Sequence, residues 1–313
     1  MSKIYIIGFN SDYGLLDIES LKADNDLVHI VVHRYIVSFL IRTFRISKSL
    51  FKALAYIFGK YYFRGFVKGS IIVTDDNIVS LSFHSLGKPA ARNIAILRNV
   101  FKGRIEKFGL EAHVDYFSFD KDDCDKYQFK FYNQYCSGFN ILKQASATSA
   151  NIDFYFLGRD KGRMSLLTEL SKKLDSYDCS IRVVGNLNSN PNIESVCYVP
   201  YIEHLQYVNR SKVILDIVQE GQKGLTMRVI EALVAEKKLI TNNVSVKDFD
   251  FYNESQFMVL HRVDDIKNSD LERFLSTPIV AYNSSLEIYS PQVVLNGIIN
   301  YNDSKEKVAE SAF

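Results

Sequence analysis

The sequence has no long apolar run. Its longest early one, Tyr35 to Ile41, ends at Arg42, far short of the roughly 20 residues a spanning helix needs. A secretory leader is not visible either. After Lys3 only Ile4-Tyr5-Ile6-Ile7 precede Gly8, too short for the apolar stretch of such a peptide. Both absences set the cytoplasm as the expected location. Cysteine is sparse: Cys124, Cys136, Cys179 and Cys197 show no C-x-x-C spacing and read as reduced thiols within the packing. The histidines form no HxxxH or HExxH pair, so no protein-held metal is expected. Short repeats and low-complexity segments are also missing. The most specific absence is of acid: from Leu27 to Thr74 there is no Asp or Glu.

That same stretch carries Arg34, Arg42, Arg45, Lys48, Lys52, Lys60, Arg64 and Lys68, although the whole chain has a net charge of only +2. Arg42, Arg45, Lys48 and Lys52 recur at spacings of three and four, and Ile46, Leu50, Leu54 and Ile57 recur on another face. The period predicts one basic amphipathic helix over Ser38 to Phe58. Such a segment suits an anionic membrane surface. A solvated helix on a domain surface is the plainer alternative. A single-strand groove fits a one-sided helix poorly, so nucleic acid is not expected as a partner.

With 47% hydrophobic and 24% charged residues, the composition is that of an ordinary globular protein, and 313 residues suit two domains. Strands are predicted at Lys3–Ile7, Leu27–Val32, Ser70–Thr74 and Asp115–Phe119. The small, polar stretch from Lys143 to Asn151 is the candidate linker. Beyond it the alternation is regular: strand Ile152–Leu157, a helix marked by Leu166, Leu167, Leu170 and Leu174, strand Ser180–Val184, helix Glu203–Asn209, strand Lys212–Val218, helix Leu225–Glu236, strand Lys238–Thr241. Strands alternating with helices predict a doubly wound parallel α/β sheet.

In such sheets ligands bind beyond the carboxyl ends of the strands. The loop Gly158-Arg159-Asp160-Lys161-Gly162-Arg163 holds three cations and two glycines, a composition suited to a diphosphate; a solvated charged loop is the alternative. The turn from Gly221 through Gly224 and Leu225 enters a helix at Thr226, offering free amides and a favourable dipole to phosphate. Thr226 can cap that helix or bind phosphate through its hydroxyl. Arg228 and Glu231 share a face, where the carboxylate can take both ribose hydroxyls or simply pair with Arg228. No GKS or GKT follows, which excludes a Walker A loop. Tyr198-Val199-Pro200-Tyr201 supplies aromatics that can flank a base or pack. Asp12 after the first strand and His84 after the run Ile78–Phe83 are the candidate catalytic bases. Asp75-Asp76 and Asp122-Asp123 read as solvated pairs.

The stretch from Tyr201 to Asn243, YIEHLQYVNRSKVILDIVQEGQKGLTMRVIEALVAEKKLITNN, resembles the donor half of GT-B glycosyltransferases, and more narrowly CgeB-like bacterial lipopolysaccharide and capsule biosynthesis proteins. Phe251-Tyr252-Asn253 and Tyr116 to Asp123 are similar to further segments of these proteins, so the likeness spans most of residues 110 to 260. It implies two Rossmann-like domains with parallel sheets facing across a cleft. An acceptor domain would cover 1–145, a nucleotide-sugar domain 151–288, and a segment over 289–313 would cross back to the first. It implies that Arg159, Lys161, Arg163, Gly224, Leu225 and Thr226 hold the donor diphosphate and Glu231 the ribose, with Tyr201 among the candidate donor-binding residues. No metal or other cofactor is implied, in keeping with the lack of a DxD-like cluster. The partners implied are a nucleotide-sugar and a glycan or lipid-linked acceptor. The chain departs from the E-x7-E pattern of the large retaining family, since Lys223 stands at the first Glu position; Glu220 or Gln219 is the candidate substitute. Thr226, Arg228 and Glu231 speak for nucleotide binding. They do not separate glycosyl transfer from binding without catalysis, or from transfer of pyruvyl or phosphate groups to the same glycans.

Overall fold

The computed structural model describes residues 3–301, apart from 63, 65, 87–91, 146–149, 186–189 and 220. The chain forms two compact units. One runs to Asn133 and takes in the segment from Pro291; the other is Gln134–Ser290. The division therefore falls before the small, polar stretch at 143–151, which belongs wholly to the second unit.

The first unit contains β1 (Ile4–Ile7), α1 (Asp12–Lys22), β2 (Leu27–Ile30), α2 (Arg34–Ile46), α3 (Lys48–Tyr62), β3 (Ile71–Thr74) and α4 (Ile78–Ser82). It continues with β4 (Arg92–Leu97), α5 (Arg104–Phe108), β5 (Asp115–Ser118), α6 (Lys121–Tyr127) and β6 (Lys130–Phe131). The second holds α7 (Phe139–Gln144), β7 (Ile152–Arg159), α8 (Met164–Lys173), β8 (Cys179–Val184), β9 (Glu194–Val196) and α9 (Tyr201–Arg210). After these come β10 (Ser211–Asp216), α10 (Met227–Val234), β11 (Lys238–Thr241), β12 (Phe257–Val259) and α11 (Asn268–Ser276). The last helix, α12 (Pro291–Ile299), returns to pack on α1, where Asn25 Nδ2 donates to Asn296 Oδ1 at 2.9 Å.

Each unit is built on a six-stranded sheet, ordered β2-β1-β3-β4-β5-β6 and β12-β11-β10-β7-β8-β9. All pairings are parallel. Parallel strands need crossover helices, so both sheet faces are covered and central strands read as unbroken apolar runs. The fully buried Ile4-Tyr5-Ile6-Ile7 is such a run. The architecture is α/β, with one doubly wound parallel sheet in each unit. Among the described residues no helix is long and apolar enough to cross a membrane.

The predicted helix over Ser38–Phe58 is two helices. Ser47 takes an extended conformation at the end of α2, and its Oγ accepts from Leu50 N at the start of α3. A hydroxyl that caps the next turn competes with helix continuation, and helical periodicity does not register a one-residue break. Ile78–Ser82, which precedes His84, is helical. Of the cysteines, Cys136 is buried in the packing, whereas Cys197 is exposed.

Within the first unit Arg98 donates from Nη1 to Asp17 Oδ2 at 2.6 Å, with both side chains almost removed from water. Removing one partner of a buried pair strands a charge at a cost of about 3–5 kcal/mol, while replacing both with apolar residues is often neutral. Arg98→Leu should therefore lower the urea midpoint steeply, and Asp17→Leu/Arg98→Leu should recover most of it. A single variant as stable as the parent would show the pair to be energetically idle.

Candidate active site

Each sheet has one place where chain connections leave in opposite directions, and this is where open α/β sheets bind ligands. In the second unit it lies between β7 and β10, and in the first between β1 and β3.

The β7–β10 rim is organised by Asp216, the buried last residue of β10. Its Oδ1 accepts from Thr226 Oγ1 at 2.7 Å and from Arg228 Nε at 3.1 Å, and its Oδ2 accepts from Thr241 Oγ1 at 2.9 Å. Arg228 Nη1 also donates to Leu157 O at 2.8 Å. Arg163 donates from Nε to Arg159 O and from Nη1 to Ile217 O. Both guanidinium groups lie over the Phe156 ring. Gly158 is needed here, because a Cβ would stand 2.7 Å from Arg163 Nη2 and 3.2 Å from Arg228 Nη1. Burial, together with the nearby Arg228 charge, lowers the Arg163 pKa to about 10, which leaves it charged at neutral pH. Buried Arg163 and half-buried Arg228 around one buried carboxylate give the rim a positive bias, and Arg159 and Lys161 on the adjoining loop are exposed.

The loop from β10 to α10 is laced in place. Val218 N donates to Asn242 Oδ1 at 2.8 Å, Asn243 Nδ2 donates to Lys223 O and Gly224 O, and Gln134 Nε2 donates to Leu225 O. Gly224 and Leu225 are buried within it. Thr226 is the N-cap of α10, but no side-chain cap bond is made. Anions favour a helix start in general; within this turn Val229 N donates back to Thr226 O at 3.2 Å.

Several expected contacts are placed differently. Arg163 and Arg228 are braces on carbonyl oxygens and on Asp216, so neither has its guanidinium spread toward solvent for a diphosphate. The Thr226 hydroxyl donates to Asp216 Oδ1, so its proton is not directed at a phosphate. Glu231 is 1% exposed, and both its oxygens are taken: Oε1 by Tyr201 OH at 2.7 Å and Oε2 by His204 Nε2 at 2.9 Å. It offers no free edge to a ribose. Tyr201 is buried with it and does not stack on a base, whereas Tyr198 is exposed. Tyr155 OH lies 2.9 Å from His204 Nδ1, completing a buried chain Tyr155–His204–Glu231–Tyr201. Burial pushes the Glu231 carboxyl up, but the His204 charge and the bonds from His204 and Tyr201 outweigh it, so its pKa is lowered. Glu220 lies outside the described residues.

In the first unit, Gly8 and Phe9 both have left-handed backbone, φ +89° and +55°. They fold over the end of β3, and a Cβ on Gly8 would fall 2.3 Å from Asp75 Oδ1. Phe9 N donates to Asp75 Oδ2 at 2.9 Å and Asn77 N to Asp75 Oδ1 at 3.2 Å. Asp76 accepts from Asn99 Nδ2 at 2.9 Å. These two carboxylates, read from the sequence as solvated, are half-buried at the rim. Burial raises both pKa values. That of Asp76 reaches about 6, the Asn99 bond opposing the rise and the Asp75 charge adding to it. Asp12 opens α1 on the neighbouring loop, half-buried. His84 is not at this rim in a usable form. It is fully buried, its Nε2 lies 2.9 Å from Thr74 Oγ1 and its Nδ1 3.2 Å from Asn93 Oδ1. Burial lowers its pKa to about 4. A solvent-excluded imidazole with both nitrogens engaged is a structural group.

Asp75, Asp76, Asp216, His204 and Asn243 are the polar residues that sequence reasoning passed over. Asp216 had a signal, as a charge closing the apolar run Val213-Ile214-Leu215. Asp75 and Asp76 had the same signal after Ile71-Ile72-Val73.

No protein-family model matches the chain, and no characterised protein matches it by sequence. Solved structures do match its fold. The UDP-GlcNAc 2-epimerase of Methanocaldococcus jannaschii, solved with UDP-GlcNAc and UDP, is 13% identical and aligns over 96% of this chain and 100% of its own, with a TM-score of 0.55. The UDP-GlcNAc 2-epimerase from Neisseria meningitidis, bound to UDP-GlcNAc, is 9% identical over 96% and 98% of the two chains, with a TM-score of 0.52. The spinosyn forosaminyltransferase SpnP is 15% identical over 98% and 99%, with a TM-score of 0.49. The similarity is one of fold.

Acid should act on the two units through different groups. His84 is harder to protonate folded than unfolded, so its contribution to stability is full above about pH 6.5 and is lost as pH falls toward about 4. Glu231 is the opposite case in cause: its lowered pKa contributes stability above the usual glutamate range, lost as pH falls through the folded value. In denaturant titrations across pH, His84→Asn should flatten the first window and Glu231→Gln the second. An imidazole resonance of His84 titrating near 6.5 would contradict the first assignment.

Proposed function

We propose that the chain is a glycosyltransferase of GT-B type. It would take a nucleotide-sugar at the β7–β10 rim and pass the sugar to a bacterial surface-glycan precursor of lipopolysaccharide, O-antigen or capsule. The observation that carries the reading is the start of α10 at the sheet's switch point. The α10 dipole starts there, Arg163 and Arg228 lie beside Asp216, and Arg159 and Lys161 are exposed at the end of β7 and just after it, charges that favour an anion. This arrangement meets a diphosphate leaving group without calling on a metal ion. The narrower likeness of Tyr201–Asn243 to CgeB-like proteins supports the glycan class of acceptor. The expected place of work is the cytoplasmic face of the membrane, where lipid-linked acceptors are presented.

In this reading the base for the acceptor hydroxyl is Asp76, with Asp12 on the adjoining loop as the alternative. A carboxylate with a pKa near 6 is mostly ionised at neutral pH yet basic enough to accept a proton in the transition state. Glu231 and His204 act indirectly, by setting α9 against α10.

A second reading is epimerisation at C2 of a UDP-GlcNAc-type sugar. It is favoured by the whole-chain overlap with the two epimerases and by the paired carboxylates Asp75 and Asp76, suited to removing and returning a carbon-bound proton.

Incubation with UDP-, GDP-, CMP- and dTDP-sugars, with and without glycan acceptors, separates the two. Nucleotide release that requires an acceptor and yields a glycosylated product supports transfer. A C2-epimeric sugar formed without acceptor supports epimerisation, and no turnover of any donor would refute both. Asp76→Asn should lower kcat about 10²–10⁴-fold, and the parent's activity should rise with pH through about 6. A parent-like kcat in Asp76→Asn would remove it as the base.

A further inference from the structure

We propose that the outward side of α2 and α3 is a docking surface for an anionic lipid bilayer. The proposal concerns location and stands whichever reaction the chain performs.

The two helices pack on one another and on the first unit's core through Leu40, Thr43, Phe51, Ala55 and Gly59. Their opposite sides carry large apolar groups into solvent. Ile46 is 84% exposed, Tyr35 67%, and Ile57 and Tyr61 62% each. Phe39 and Leu50 are about half exposed. Spacing shows that these are stripes. Tyr35, Phe39, Arg42 and Ile46 follow at intervals of four, three and four along α2; Leu50, Ala53, Ile57 and Tyr61 follow at three, four and four along α3. Of the apolar face expected from the sequence, only Leu54 is half-buried; Ile46, Leu50 and Ile57 point away from the core.

Cations border both stripes, and several lie against the exposed rings: Arg34 over Tyr35, Lys60 over Tyr56, Arg64 over Tyr61. No acidic residue occurs from Leu27 to Thr74. This charge decides the occupant. A second copy of the chain would bring two cationic faces together. A folded acidic protein would answer the charge, but isolated projecting side chains such as Ile46 and Ile57 call for a yielding apolar phase beneath the charged layer. A bilayer with anionic headgroups supplies both, with aromatic rings at headgroup level and aliphatic side chains below. Lys48 and Lys52 are less available, since Lys48 Nζ donates to Lys107 O and Lys52 Nζ to Glu111. The cations to test are therefore Arg42, Arg45, Lys60 and Arg64.

The test is co-sedimentation of the full chain with vesicles of phosphatidylcholine alone or mixed with phosphatidylglycerol. Binding should require the anionic lipid and weaken with salt. Replacing Arg42, Arg45, Lys60 and Arg64 together with Gln should cut partitioning about 10³-fold, four cations at roughly 1 kcal/mol each. Ile46→Ser/Ile57→Ser should cut it at high salt, where charge is screened. The chain has no tryptophan, so Tyr35→Trp supplies a single reporter whose emission should shift to the blue on vesicles. Equal binding to neutral vesicles, or no blue shift and no loss in the serine variant, would overturn the proposal. So would single-stranded RNA competing fully for the face with the serine variant unaffected, which would assign it to nucleic acid. All substituted side chains are exposed, and unchanged circular dichroism and urea midpoints would confirm that the variants fold.

Discussion

One buried carboxylate holds the second unit's rim together. Asp216 ends a strand whose neighbours exclude water, so its charge has to be met on the spot. Thr226 and Arg228 meet it from the start of α10, and Thr241 meets it from the end of β11. Each of these bonds also places backbone: the start of α10, the end of β7 through Leu157, and the end of β11. An isolated charge there would cost several kcal/mol, so the loop between β10 and α10 has little freedom to rearrange. These bonds fix where α10 starts and therefore where its dipole points.

The first unit uses a related device with different chemistry. Asp75 is held by the amides of Phe9 and Asn77, and two consecutive left-handed residues bend the chain close enough to reach it. Arg98, the cation next to this rim, is drawn inward to Asp17. Burial raises the pKa values of the two carboxylates at the rim, and the Arg98 charge opposes the rise without cancelling it. The same topological position thus has a positive bias in one unit and proton-accepting groups in the other. The proposed reading, phosphate binding in one unit and acid–base chemistry in the other, rests on that asymmetry more than on any single residue.

Much of the fold was legible in the sequence because buried parallel strands are written as short apolar runs. Ile4–Ile7, Ile152–Leu157 and Lys238–Thr241 stand out on that ground, and the helices between them follow the 3.6-residue period. The missed strands were β4, β6, β9 and β12; β6 and β9 are only two and three residues long, too short for any period to show. The break at Ser47 was invisible for a similar reason, since the apolar spacing continues across it. The positive stretch from Arg34 to Lys68 needed no structure at all, because a missing residue type is plain in one dimension.

The site divides in the same way. Glycine-bearing turns after apolar runs marked where the strand ends lie, and that much is a property of local sequence. Which polar atoms remain available was decided by tertiary structure alone. Thr226, Arg228 and Glu231 look equivalent along α10, yet the first two are spent on a carboxylate from β10 and the third on a tyrosine and a histidine from α9. His84 looked suited to catalysis until Thr74 and Asn93 enclosed it. A buried polar group must find its partners wherever the fold places them. Those partners come from separate strands and helices, so the sequence determined which residues were eligible, and only packing determined which were left facing solvent.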